Sequence, residues 1–162
     1  MFVVPKAMLS NTHTSRILSL RNPTSKMSKS EVSDLSRINI DDSSDSIVLK
    51  IKKATLDQTL GITYDPVLRP GVSNLLDILA GILDKEPTDL ALEYSNLNNE
   101  NFKKTVSGAL IEHLYPIRVE IARLEKDPEY INQVLLKGEL NARNVAEKTI
   151  ERVKNVIGLP TK

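Results

Sequence analysis

Between Val72 and Leu83 the sequence leaves a helix almost no polar side. Val72, Leu75, Leu76, Ile78, Leu79, Ile82 and Leu83 recur at one, three and four residues, which is helical spacing with an unusually wide apolar arc. Such a helix is stable only if other elements surround it, so the rest of the chain has to be read as its packing. The 162 residues are enough for one domain with a real core, or for a small domain with a trailing piece of another. Aromatic residues make up only 4% and tryptophan is absent, while Leu, Ile, Lys, Glu and Ala abound, which favours helices over a sheet-rich sandwich.

Further helical segments are predicted on both sides of it. Asp41-Asp42-Ser43-Ser44 supplies caps for a helix from about Ser44 to Leu56, with Ile47, Val48, Ile51 and Ala54 facing inward and Lys50, Lys52 and Lys53 covering the other faces. A short helix follows Pro87. Asn98 or Asn99 caps a longer one whose stripe is Phe102, Val106, Ala109, Leu110 and His113, with His113 expected as a satisfied core histidine; Ile117, Ile121 and Leu124 extend the stripe past Pro116, which is expected to kink or restart it. Asp127-Pro128-Glu129 combines an N-cap, a first-turn proline and a first-turn acid. The final helical stretch puts Ala142, Val145, Ala146, Thr149, Val153 and Val156 on one side, with Lys137, Asn141, Asn144, Lys148 and Arg152 opposite, until Gly158 and Pro160 stop it.

The amino-terminal forty residues read differently. Residues 16–20 suit a short strand, Asn22-Pro23-Thr24-Ser25 a turn, Lys26-Met27-Ser28-Lys29-Ser30 a mobile loop, and Arg37-Ile38-Asn39-Ile40 a second extended piece. Residues 1–40 carry six Lys or Arg against two acids, residues 41–136 ten against sixteen, and residues 137–162 six against three, so both ends are basic and the middle acidic although the net charge is only +1. The acid-free first thirty residues share the composition of a mitochondrial transit peptide, but the strand and loop that they contain belong inside a folded protein. With no cysteine there is no thiolate zinc site, disulfide or cysteine nucleophile, and two isolated histidines, His13 (expected on a surface loop) and His113, build no metal site. No apolar stretch approaches the ~18 residues that a membrane span requires, so no membrane partner is expected.

The lysine–serine run is the segment that carries chemistry. Two lysines three apart, interleaved with serines, can place two ammonium groups with hydroxyl and backbone donors around a polyphosphate. Lysines that reach a departing pyrophosphate only when their loop closes stabilise the transition state selectively. A Lys/Ser-rich loop is more often merely solvated, and the neighbouring segments decide between the two readings.

The run Lys26-Met27-Ser28-Lys29-Ser30 is similar to the KMSKS motif of class I aminoacyl-tRNA synthetases. Ser19-Leu20-Arg21-Asn22-Pro23-Thr24 resembles the lead-in found in tryptophanyl-tRNA synthetases. Lys50-Ile51-Lys52-Lys53-Ala54, Thr63-Tyr64-Asp65-Pro66 and Arg69-Pro70-Gly71-Val72-Ser73-Asn74-Leu75-Leu76 resemble successive later segments of that family, in order. The last of these separates the tryptophan enzymes from their tyrosine-specific relatives better than the lysine–serine loop does. The resemblance covers roughly residues 14–158. Asn22 where the family often has Asp, Glu31 where Asp is usual, and Thr55-Leu56-Asp57 in place of Val-Thr-Asp depart from it without removing a phosphate contact.

What the resemblance implies is a mainly α chain. Residues 1–40 are a remnant of a class I catalytic, nucleotide-binding domain: a short strand and the KMSKS loop from the edge of a Rossmann-type α/β fold. Residues 41–160 form a helical, bundle-like carboxy-terminal domain facing the anticodon arm of tRNA. It implies ATP contacts from Ile17, Lys26, Met27, Ser28, Lys29 and Ser30, catalytic roles for Lys26 and Lys29 with Lys29 leading, and tRNA contacts from Lys137, Asn141, Asn144, Lys148 and Arg152. The partners implied are tryptophan, ATP with Mg2+ carried by the nucleotide rather than by the protein, and tRNA(Trp), with homodimers at full length. The family's His-x-Gly-His element, tryptophan pocket and dimer-forming region have no counterpart in this sequence, so Met1 reads as an internal start or truncation and the chain alone is expected not to activate tryptophan. The alternative is a non-catalytic helical tRNA-binding module. The segment from Ala54 to Asp65 and the helix-rich tail are closer to organellar and bacterial-type enzymes, which points to the mitochondrial matrix, with the cytoplasm as the alternative.

Overall fold

Pro70 opens the central helix, where its fixed φ and missing N–H suit the first turn. In the computed structural model, which describes residues 2–8 and 13–159, this helix is the second of five. Helix α1 spans Ser44–Lys52, α2 Pro70–Leu83, α3 Pro87–Glu93, α4 Asn99–Leu124 and α5 Pro128–Ile157. Val72, Leu75, Leu76 and Leu79 of α2 are fully enclosed, together with Ile47 and Ile51 of α1, Leu90 of α3, Phe102 and Val106 of α4, and Leu20 and Ile62 from the loops. Each such side chain contributes roughly 1.5–3 kcal/mol through burial, so the core centres on α2, as its wide apolar arc requires. The chain is mainly α, as expected.

Among the described residues no strand is formed. The expected strand at 16–20 is present as a single antiparallel bridge, Leu18 with Lys26. Strand structure needs a ladder, and beyond this bridge Leu20 makes only single backbone bonds, its N–H to the Ser36 carbonyl at 2.9 Å and its carbonyl to the Thr55 N–H at 2.8 Å.

Helix α1 is capped by Ser43, whose side chain accepts the Ser46 N–H at 3.1 Å. It stops at Lys52 rather than Leu56, because the chain turns away for Thr55 to donate its N–H to the Leu20 carbonyl at 2.8 Å. The carbonyls left open at its end are taken by cations: Arg21 bonds Lys53, and the Lys103 ammonium lies 3.0 Å from the Lys52 carbonyl and 2.7 Å from that of Ala54. Its buried stripe also departs from expectation. Val48 is exposed, and Lys50, assigned to an outer face, is buried between Ile47 and Ile51. The spacing 47, 50, 51, 54 is the better helical face, and the lysine occupies it because two carboxylates wait there.

Helix α4 begins at an Asn98 cap whose side-chain oxygen accepts the Asn101 N–H at 2.8 Å, and it continues through Pro116 to Leu124 without restarting. Its inward positions are Phe102, Val106, Leu110 and Leu114, and His113 is exposed. Four-residue steps from Phe102 carry the face to Leu114, so the expected core histidine sits just outside it. The Asp127 carboxylate caps α5 by accepting the Tyr130 N–H at 3.0 Å, and Gly158 ends it at φ 73°. The start signal at Asp127-Pro128 and the final stretch thus belong to one helix, none of whose residues is buried. Pro160 and the side chain of His13 lie outside the described residues. The chain divides into two compact units, Met8–Val119 and Met1–Ala7 with Glu120–Lys162. No helix among the described residues is long and apolar enough to cross a membrane.

Candidate nucleotide site

Asn22-Pro23-Thr24-Ser25 folds as a tight turn: the Ser25 N–H bonds the Asn22 carbonyl at 3.0 Å, and the Asn22 side chain accepts from the Thr24 hydroxyl at 2.7 Å. The two arms then pair. Ser19 N–H donates to the Ser25 carbonyl at 2.9 Å, and Met27 N–H to the Ile17 carbonyl at 3.0 Å. This short hairpin is pinned to the core from below by α2. Asn74, buried, accepts the Leu18 N–H at 2.7 Å and donates to the Leu18 carbonyl at 2.9 Å. Met27 packs against the core, while Lys26, Ser28, Lys29 and Ser30 are exposed. The lysine–serine run therefore has one anchored apolar residue and a polar rim that is free to meet a ligand.

Above the hairpin lies a cleft of about 730 Å³ lined by residues 14–17, 26–29 and 37–41. Ile17, Lys26, Met27, Ser28 and Lys29 of the six expected ATP residues line it; Ser30 lies beyond its edge, with its N–H on the Ser28 hydroxyl at 3.2 Å. Arg16 and Arg37 add two cations and Asp41 a single acid, so the lining is cationic, while Ile17, Met27, Ile38 and Ile40 provide flat apolar surface. A lining that interleaves cations with apolar side chains suits a polyphosphate joined to a ring.

Sequence reasoning missed Arg16, Arg37 and the 38–41 wall as site residues, and Asn74 and Lys50 as their supports. A polar residue at an inward helical position was the available signal in the last two. The helix face expected to meet tRNA is far in sequence from this cleft: Lys137, Asn141, Asn144, Lys148 and Arg152 all lie exposed along α5. No group of three or more His, Cys, Asp or Glu that could hold a metal occurs among the described residues.

The stretch that narrowed the resemblance has a clear local reason. The Arg69 guanidinium, buried, holds the 57–63 loop through Asp57, the carbonyls of Thr59 and Gly61 at 3.1 and 3.0 Å, and the Thr63 hydroxyl at 2.8 Å. Ser73 accepts the Asp65 N–H at 2.9 Å. Gly71 passes so close to Thr55 that an added Cβ would lie 2.3 Å from its carbonyl oxygen.

The family model for class I tRNA synthetases (W and Y) matches residues 1–115, and the chain belongs to that family. Within it, relatives that match the chain include tryptophan–tRNA ligases. The mitochondrial tryptophan–tRNA ligase of Dictyostelium discoideum is 37% identical over 94% of this chain and 41% of its own length. That of Rickettsia conorii is 41% identical over 96% of this chain and 47% of its own length. The crystal structure of tryptophanyl-tRNA synthetase from Mycoplasma pneumoniae superimposes with a TM-score of 0.79 at 28% identity, covering 93% of this chain and 47% of that one. The chain thus spans less than half the length of these relatives.

Proposed function

We propose that this chain supplies the ATP-gripping loop and the helical tRNA-facing region of a tryptophan–tRNA ligase. The observation that carries this reading is the pinned hairpin, which places Lys26 and Lys29 on a cleft lined by cations and apolar side chains together. In the reaction, a tryptophan carboxylate oxygen attacks the α-phosphorus of ATP, the bond to the bridging oxygen breaks, and pyrophosphate leaves with the charge. Lys26 and Lys29 neutralise that charge as it grows, with Lys29 leading. Ser28 and Ser30 donate hydrogen bonds to phosphate oxygens, Ile17 and Met27 bear on the adenine, and Mg2+ arrives on the nucleotide. Residues 1–40 are assigned to the catalytic domain and 41–160 to the helical domain, in which Lys137, Asn141, Asn144, Lys148 and Arg152 face the anticodon arm of tRNA(Trp). Assembly with a second copy at full length and residence in the mitochondrial matrix complete the proposal; the mitochondrial Dictyostelium relative supports the compartment, while the bacterial relatives leave the cytoplasm as the alternative.

Tryptophan-dependent ATP–pyrophosphate exchange tests it, on this chain alone and on a longer version containing the half that only the relatives span. Activity in the longer version, reduced about 10²–10³-fold by Lys29→Ala, is expected. Exchange in neither would sink the catalytic reading and leave a helical tRNA-binding module as the better account.

A further inference from the structure

Lys50 is buried in α1, and its ammonium lies 2.7 Å from Asp34 and 2.6 and 2.8 Å from the two oxygens of Asp42. From there, contacts run in two directions. Toward α4, Arg118 donates to the Asp42 carbonyl at 2.8 Å and to the Ser44 hydroxyl at 3.2 Å. Toward the cleft, Asp34 pairs with Arg37 at 2.9 Å, and Arg37 donates to the carbonyl of Glu31 at 3.1 Å, one residue past the end of the lysine–serine run. Asn39 closes the web, with its side chain on Asp34 at 3.2 Å and its N–H on Asp42 at 2.8 Å.

A buried ammonium is a poor choice for stability alone, since apolar replacement of buried ion pairs is often neutral or better. What an apolar side chain could not do is hold two carboxylates at a fixed separation. Those carboxylates bracket the 37–41 wall of the cleft, and one of them leads to the loop that forms the other wall.

We propose that Lys50 is a positioning residue for the lysine–serine loop: through Asp34, Arg37 and the Glu31 carbonyl it latches the downstream end of that loop to α1 and sets the spacing of the cleft. The role rests on the nucleotide reading only for its purpose; the latch itself is a mechanical link and can be measured without ATP.

Asp34 is the decisive position, because its side chain is 56% exposed and its loss leaves Lys50 on Asp42 while severing the branch to the loop, along with the Asn39 side-chain contact. In the full chain, Asp34→Ala is expected to raise tryptic cleavage after Lys29, and amide exchange over residues 28–31, roughly tenfold, the effect of losing one charge-assisted hydrogen bond. Cleavage after Lys148 in α5 and the urea midpoint should stay unchanged. Lys50→Met, where it folds, should give the same local increase, and the double variant no more than either single one. Unchanged cleavage and exchange at the loop in Asp34→Ala overturns the latch. So does an increase shared equally by Lys148, which would mean a purely structural role. Mg-ATP added to the wild-type chain supplies the separate readout: failure to slow cleavage after Lys29 counts against the nucleotide reading and leaves the latch result standing.

Discussion

Asn74 meets both backbone groups of Leu18, accepting its N–H at 2.7 Å and donating to its carbonyl at 2.9 Å across 56 residues of sequence. A side-chain amide can pair with a peptide unit in both senses, so α2 carries the missing edge of a ladder in a single residue. Asn74→Ala leaves two part-buried backbone groups unpaired and is expected to cost roughly 2–4 kcal/mol in urea denaturation. Asn74→Asp keeps the acceptor but sets a carboxylate against the Leu18 carbonyl, and should not restore stability.

Gly71→Ala should destabilise the chain even though alanine favours helices. Its Cβ would lie 2.3 Å from the Thr55 carbonyl oxygen and 3.2 Å from Leu56, so backbone must move. A loss of about 1–3 kcal/mol is expected from overpacking. A gain in thermal midpoint would show that the 55–57 segment yields freely.

Asp57 couples the Arg69 loop knot to acid stability. Burial pushes the Asp57 pKa up, but hydrogen bonds from Arg69 and Thr59 outweigh it and hold the carboxyl below its usual 3.8. A depressed folded-state pKa stabilises the fold above the unfolded value, and that contribution disappears as pH falls through the folded one. Stability should therefore drop below pH 3.8. Asp57→Ala, which strands the buried Arg69 charge, should cost about 3 kcal/mol at neutral pH and weaken that acid dependence, as urea midpoints measured across pH will reveal.

Tyr64 acts at the opposite limit. Its burial, and then its hydrogen bond to Asp77 at 2.9 Å and the charge there, push the phenol up to about 12 from 10.0. The raised value means that its contribution is fully present below pH 10 and is lost as pH rises toward 12. Tyrosinate absorbance should show a step near pH 12 that Tyr64→Phe removes, while Tyr94, raised by burial and by its hydrogen bond with Glu93, still titrates late. Complete titration of all four tyrosines near pH 10 would contradict the buried Tyr64–Asp77 pair.

Short-range signals were readable along the chain because they act within one turn of backbone. Asp127-Pro128 starts α5, Asn98 caps α4 and Gly158 closes α5 in sequence and in structure alike. The apolar arc of α2 announced the centre of the core, and the lysine–serine run with its flanking segments led to the family. Tertiary structure decided which residue of two equivalent helical positions turned inward. Lys50 is buried and Val48 exposed because Asp34 and Asp42 converge on one side of α1, and Leu114 replaces His113 because neighbouring helices select the four-residue step. It also brought Arg37, which lies in no helix, into one web with Lys50 through Asp34 and placed Leu18 against Asn74. The sequence by itself determined where several helices are capped and what chemistry the loop can offer, since capping and periodicity are local; the end of α1 was set by the Thr55–Leu20 bond. The cleft that gives the loop a purpose was decided only by long-range packing, which sets the distance between residues that the chain keeps far apart.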